Sequence, residues 1–198
     1  MIKLAIFASG SGTNAENITT YFKSHPSISV SLILSNKPDA YVITRAKQLN
    51  IPFYIFDKEQ LNNSTHVYDI LDKNSIDYII LAGFLLKIPE KMVEKYPDRI
   101  INIHPALLPN WGGKGMYGMN VHKAVVNAGE KETGITIHIV DEKYDNGRIL
   151  FQAKCPVTPS DTPDTVAEKI HQLEQDNFPI VIEDYIIGEV GKLLNTNS

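Results

Sequence analysis

The sequence predicts an α/β protein: a Rossmann-like, mostly parallel sheet with helices on both faces, extended by a C-terminal hairpin and a long helix. Three observations carry the prediction. Short apolar runs alternate with amphipathic stretches as far as residue 104, the pattern of βαβ units whose strands are buried on both faces. A glycine-rich turn follows the first run and opens a helix. Beyond Pro105 the alternation gives way to a long polar loop, two facing strand patterns and one extended helical pattern.

The elements follow in order. Leu4–Ala8, Val30–Leu34, Phe53–Phe56, Tyr78–Ala82 and Ile100–His104 read as buried strands. Ala15–Lys23, Tyr41–Leu49, His66–Lys73 and Pro89–Lys95 read as the helices between them. Pro105–Asn120 holds five glycines or prolines after its first residue and reads as a loop, and a loop of that length is usually functional or mobile. Asn120–Ala128 reads as a short helix. Thr133–Val140 places Ile135, Ile137 and Ile139 on one face, and Ile149–Val157 is its partner, with Asp141–Gly147 turning between them as a hairpin. Thr162 caps the last helix, in which Val166, Ile170 and Leu173 have helical spacing. Pro179 should kink or re-set it, and the tail Leu193–Ser198 should fray.

At 198 residues, 43% hydrophobic and 21% charged, the chain fits one domain, with residues 1–105 as its Rossmann-like, phosphate-binding part and 106–190 as the remainder. A formal net charge of -4 lacks the basic footprint of a nucleic-acid binder. No apolar stretch is long enough to span a bilayer, and the N-terminus lacks the pattern of a secretory signal. The single cysteine, Cys155, can form neither an intrachain disulfide nor a cysteine metal cluster, which suits a reducing cytosol. These features predict a cytoplasmic protein without nucleic acid, membrane or metal, and they fit a monomer or a homodimer.

In open α/β sheets ligands sit beyond the carboxyl ends of the strands, and that rule selects the loops to inspect. Gly10, Ser11, Gly12, Thr13 and Asn14 follow the first strand and open a helix. Glycines let backbone approach an anion, and a helix N-terminus offers unpaired N–H groups. The turn suits a phosphate monoester; a tight βα turn without ligand is the competing reading. It is neither a full dinucleotide fingerprint, since Asn36 and its neighbours offer no carboxylate for a ribose diol, nor a P-loop. At the end of the fifth strand, alternation puts Asn102 and His104 on the same side. An amide beside an imidazole suits a reaction that develops charge on oxygen and moves a proton. The same pair could equally satisfy backbone groups at a strand end.

The run Asn102-Ile103-His104-Pro105-Ala106-Leu107-Leu108-Pro109 resembles the signature of the folate-dependent formyltransferases. Leu81-Ala82-Gly83-Phe84 before it, and Gly134-Ile135-Thr136-Ile137-His138 and Asp145-Asn146-Gly147 after it, resemble that family in the same order, and the likeness runs from residue 2 to about residue 188. The opening turn from Ser9 to Asn14 is similar to that of the glycinamide ribonucleotide branch.

The resemblance implies transfer of a formyl group from 10-formyltetrahydrofolate, a co-substrate, to the amine of glycinamide ribonucleotide in purine biosynthesis, through a tetrahedral intermediate. It implies that Asn102 and protonated His104 hold the oxyanion, and that Asp145 orients His104 and relays the proton. It places the pterin against Phe84, Leu85, Leu86, Lys87 and Ile88, against Asn102, and against Val140, Asp141, Glu142 and Asp145. Residues 106–190 become the folate and catalytic part. Gly10 to Asn14 and Glu174 would hold the acceptor, with Glu174 facing its amine; a solvated helix charge is the commoner fate of a glutamate. His138 would support the reacting groups, with a core histidine as the alternative. Leu86 and Thr65 stand where relatives often carry basic residues. The glycines of 111–118 suggest a mobile lid, and Lys114 could reach a phosphate.

Other readings are a sugar-nucleotide amine formyltransferase, a formyltetrahydrofolate hydrolase and a non-enzymatic nucleotide-sensing Rossmann module. The hydrolase usually carries an extra N-terminal regulatory domain, and a methionyl-tRNA formyltransferase needs an RNA-binding C-terminal domain. A sensor has no need for an amide, an imidazole and a carboxylate together.

Overall fold

The computed structural model describes residues 1–196. Seven strands form one sheet in the order β3-β2-β1-β4-β5-β6-β7. They are β1 (Ile2–Phe7), β2 (Ile28–Ser35), β3 (Phe53–Ile55), β4 (Tyr78–Leu81), β5 (Ile100–His104), β6 (Glu132–Ile139) and β7 (Ile149–Pro156). The first five are parallel, whereas β6 and β7 are antiparallel to their neighbours. Strand order therefore reverses between β1 and β4, which opens a crevice at their carboxyl ends. The expected α/β architecture and its hairpin extension are both present.

The helices are α1 (Thr13–Tyr21), α2 (Tyr41–Gln48), α3 (Lys58–Asn63), α4 (His66–Lys73), α5 (Glu90–Lys95), α6 (Met119–Asn127) and α7 (Pro163–Thr196). Strand alternation sorts the core into two layers. Leu4, Ile6, Ile101, Ile103, Ile135, Ile137 and Ile139 pack with Ala15 and Ile18 of α1, Val42 of α2 and Val166, Ile170 and Phe178 of α7. Ala5, Phe7, Leu32, Leu34, Ile79 and Leu81 pack on the other face with Leu61 of α3, Val67 and Leu71 of α4 and Met92 of α5. Each fully buried aliphatic or aromatic side chain contributes about 1.5–3 kcal/mol, so the two layers fix the sheet from both sides.

Three details differ from the sequence reading. Helix α3 has no counterpart in it. Asp57 caps that helix with a capping box: its carboxylate accepts from the Gln60 amide at 2.7 Å while the Gln60 side chain accepts from the Asp57 amide at 2.9 Å. Pro179 does not re-set α7, which continues through it from Pro163 to Thr196 as one helix. A proline leaves the carbonyl four residues earlier without its helical donor; that carbonyl, of Gln175, accepts instead from Nδ2 of Asn17 on α1 at 2.8 Å. The tail expected to fray is helical as far as Thr196, consistent with the helix-forming Lys192-Leu193-Leu194, and residues 197–198 lie outside the described residues. Thr162 caps α7 as expected, exchanging hydrogen bonds with Thr165 ahead of Pro163.

Candidate active site

Because Ile101 and Ile103 face the α7 layer, Asn102 and His104 must face the other way. Across the antiparallel pair Asn102 stands opposite His138, and His104 opposite Thr136. Four polar side chains thus share one patch of sheet at the open end of β5.

The hydrogen bonds fix their chemistry. His138 Nδ1 lies 2.9 Å from the Ile139 carbonyl, which can only accept, so Nδ1 carries the proton. Nε2 of a neutral His138 is then an acceptor, and Asn102 Nδ2 donates to it at 3.0 Å. This orients the Asn102 amide and leaves its second N–H free. Burial pushes the His138 imidazole below its ordinary pKa, against the raising effects of the Ile139 carbonyl and Asp145, and so favours that neutral form. His104 is held differently. Its Nε2 donates to the Trp111 carbonyl at 2.8 Å, and its Nδ1 faces Asp145 Oδ2 at 3.7 Å. Asp145 has a φ of 52°, its Oδ2 accepts from the Gly113 amide at 2.8 Å, and its Oδ1 is 3.8 Å from His138 Nε2.

The loop after β5 is built to bring these groups together. Thr136 Oγ1 donates to the Ala106 carbonyl and accepts from the Leu108 amide, and Gln152 donates to the Leu108 carbonyl. The loop then passes over Asp145 at Gly112, where a Cβ would lie 2.6 Å from Leu108 Cδ2 and 3.2 Å from Asp145 Cβ. On the hairpin side, the Asp141 carboxylate accepts from the Lys143 amide and from Asn146 Nδ2, which shapes the turn that presents Asp145.

The turn after β1 forms the other side of the crevice. Gly12 precedes α1 with φ 76°, and no side chain caps the helix. A Cβ there would strike Val42 Cγ2 at 2.5 Å, so glycine is required on both counts. Ser9 Oγ donates to Asn36 and accepts from the Leu85 amide, which ties the turn to the segment after β4. Asn14 donates to Glu174 Oε2 at 2.9 Å, and His171 Nδ1 stands 3.2 Å from the same oxygen. Glu174 is only 7% exposed, so it is not the solvated helix charge that a glutamate usually becomes.

One cavity of about 430 Å³ joins these parts. It is lined by Gly10, Ser11, Gly12, Thr13 and Asn14, by Phe84 to Ile88, by Asn102, His104, His138, Val140, Asp141 and Asp145, and by Glu174. Lys114 and the neighbouring glycine-rich segment line it as well. Phe84 packs edge-on against Phe7, 5.3 Å between ring centres, while Leu85 remains exposed. Of the expected site residues, Glu142 alone does not line the cavity; it is exposed on the outside of the hairpin turn, where Asp141 and Asp145 take the inner positions. The sequence reading missed His122 of α6 and His171 of α7, which also line the cavity. Neither belongs to a motif, and only the packing of α6 and α7 against the crevice reveals them. Among the described residues no group of three or more His, Cys, Asp or Glu is placed to hold a metal ion, and no helix is long and apolar enough to cross a membrane.

The cavity brings together groups suited to chemistry at a carbonyl. It has an amide and an imidazole, a carboxylate beside the imidazole, an uncapped helix start and an apolar wall. The formyl transferase family model matches residues 2–182, and the chain belongs to that family. It is 42% identical over 187 residues to the chloroplastic phosphoribosylglycinamide formyltransferase of Arabidopsis thaliana, covering 91% of this chain and 64% of that protein. It is also 36% identical to the phosphoribosylglycinamide formyltransferase of Bacillus subtilis, covering 94% of this chain and 95% of that one. The chain spans less than two thirds of the plant relatives it matches, 64% of one and 60% of another. Among solved structures, the glycinamide ribonucleotide transformylase 1 of Symbiobacterium toebii superposes with a TM-score of 0.86 at 28% identity, over 95% of this chain and 89% of that one. That of Geobacillus kaustophilus gives 0.83 at 35% identity, over 91% and 96%.

Proposed function

We propose that this chain transfers the formyl group of 10-formyltetrahydrofolate to the amine of glycinamide ribonucleotide, in the synthesis of the purine ring. The observation that carries the reading is the convergence of Asn102, His104 and Asp145 on one cavity whose far side is an uncapped helix start. The relatives' names support the acceptor. A cavity of about 430 Å³ falls within the range for a small-molecule site, roughly 300–1,000 Å³.

The residues fit both substrates. Leu85, Leu86, Ile88 and Val140 give a flat heterocycle apolar walls, with Asp141 and Asp145 at their edge. The folate supplies the formyl carbon as an N-acyl group. The acceptor's phosphate lies at Gly10 to Asn14, where backbone N–H groups and the helix dipole favour an anion. Glu174 takes the amine end; Asn14 and His171 hold its Oε2, and neither occupies Oε1.

When the amine attacks, charge develops on the formyl oxygen. The free N–H of Asn102 and the Nδ1 proton of an imidazolium His104 receive it. Loss of one such donor costs about 2.7–4 kcal/mol of barrier. Asp145 stands beside His104 Nδ1 and takes up the proton that leaves the amine, directly or through water. As the tetrahedral intermediate collapses, the bond from the formyl carbon to N10 of the folate breaks and that nitrogen takes the proton, releasing tetrahydrofolate. His138 holds the Asn102 amide in its donating orientation. Residues 1–105 supply the phosphate turn, the wall from Leu85 to Ile88, Asn102 and His104, and residues 106–190 supply Val140, Asp141, Asp145 and Glu174, as one working domain, in the cytoplasm, as a monomer or homodimer.

The test follows tetrahydrofolate release with purified protein. Release should require glycinamide ribonucleotide, and His104→Ala should abolish turnover while leaving acceptor binding measurable. Release with a sugar-nucleotide amine and none with glycinamide ribonucleotide would reassign the acceptor.

A further inference from the structure

His122 is a buried histidine that nothing above uses. It stands on α6 between the buried Val121 and Val125, is 4% exposed, and lines the same cavity as the reacting groups. Its Nδ1 is sealed from solvent and has no hydrogen-bond partner. A buried polar atom without a partner is costly, and natural structures keep one where something else completes it. The other buried histidines of the cavity, His104 and His138, each hold a backbone carbonyl.

The position of His122 indicates what completes it. The charged groups that act on it are His104, on the side of the reacting carbonyl, and His171 and Glu174 of α7. Glu174 is bonded to Asn14 of the phosphate turn. Helix α6 packs against α7, which carries Glu174 and His171, so the ring lines the cavity on the side where the acceptor is held. Between the phosphate and the amide-linked amine of the proposed acceptor lies a ribose, whose hydroxyls both donate and accept. Burial and the neighbouring His171 hold the imidazole below its ordinary pKa, and a neutral ring offers one donor and one acceptor to such a diol.

We propose that His122 is an acceptor-binding residue, whose imidazole exchanges a hydrogen bond with a ribose hydroxyl of the ribonucleotide that Glu174 and the phosphate turn hold. The inference rests on the acceptor proposed above and adds a specificity-determining contact to it. Because Nδ1 is sealed in the free protein, the contact at that nitrogen requires the ring to turn about its Cβ–Cγ bond as the ribose enters. An acceptor lacking the hydroxyl would leave the nitrogen as unpartnered as in the free protein and bind more weakly.

Two variants test it, His122→Leu, which keeps the bulk and removes both nitrogens, and His122→Gln, which keeps a donor and an acceptor. In the free protein His122→Leu should have a Tm equal to or above that of wild type, because it removes an unsatisfied buried atom; a structural histidine would give a lower one. In the assay it should raise KM for glycinamide ribonucleotide about five- to tenfold, the size of one neutral hydrogen bond. KM for the folate should stay in place, kcat should fall less than KM rises, and His122→Gln should recover most of the loss. A second arm needs no turnover: ribose 5-phosphate should raise the wild-type Tm, less so that of His122→Leu, and nearly fully that of His122→Gln. Equal ligand-induced shifts in all three proteins, no shift in wild type, or a rise in folate KM instead would overturn the proposal. Wild-type protein that binds ribose 5-phosphate through His122 but does not formylate glycinamide ribonucleotide would overturn the function and leave the contact standing.

Discussion

Asn102 can act as a donor because of a residue on the next strand. An asparagine amide presents either oxygen or nitrogen, and a half-turn exchanges them. His138 settles the choice: its Nδ1 is committed to the Ile139 carbonyl, so its Nε2 asks for a donor. Asn102→Ala should therefore lower kcat about 10²–10³-fold with a smaller effect on acceptor KM, read from steady-state kinetics, since the donor matters only once charge has developed. Asn102 and His104 were legible in the sequence because strand alternation has a period of two and β5 ends where the pattern says. The groups that hold them were not. The Trp111 carbonyl and the Gly113 amide are backbone atoms, which every residue possesses, and no residue type marks them.

Among the elements, α7 depends on α1. Pro179 removes one rung of the helix, and Asn17 restores a donor to the carbonyl left over at Gln175. Asn17→Ala should lower stability by about 0.5–1.5 kcal/mol, a fall in Tm of about 2–4 °C per kcal/mol for a chain of this size. In a Pro179→Ala background, where the helix supplies its own N–H, the same substitution should cost less. Thermal denaturation of the four proteins gives the coupling directly. A new start was a natural reading of Pro179 alone, because the compensating side chain is distant in sequence. Helix α3 was legible in principle. Its Asp57-x-x-Gln60 capping box lies on the page, but six residues are too few for a periodic pattern to show. The strands and longer helices could be read because burial on both faces, or on one stripe, writes itself into the spacing of apolar residues.

For the whole molecule, two buried histidines set an acid limit. Burial holds both His122 and His138 below their ordinary value, so the folded state favours their neutral forms. The unfolded chain binds protons first, near pH 6.5. Their contribution to stability is thus complete above that pH and is lost as the pH falls through their folded values. His171, raised by its hydrogen bond to Glu174, works in the opposite sense: its contribution is present at low pH and lost as the pH rises. Its side chain is 62% exposed, so solvent screens that contribution and the two buried rings prevail. Tm should fall between pH 7.5 and pH 5.5, and His138→Gln should flatten the fall. A profile of the variant parallel to that of wild type would show that His138 does not take part.

The loop after β5 touches His104 and Asp145 at two adjoining points. The carbonyl of Trp111 draws on the imidazole of His104, and two residues later the amide of Gly113 gives to the carboxylate of Asp145. The imidazole and the carboxylate are therefore tethered to a single short span of backbone. Any shift of that span, by ligand or by substitution, displaces both partners together, so the distance between them is buffered while their common position in the crevice is not. Changes at residues 111–113 should alter both groups at once, whereas the glycine-rich stretch beyond is at liberty to vary in length and composition without detuning the pair.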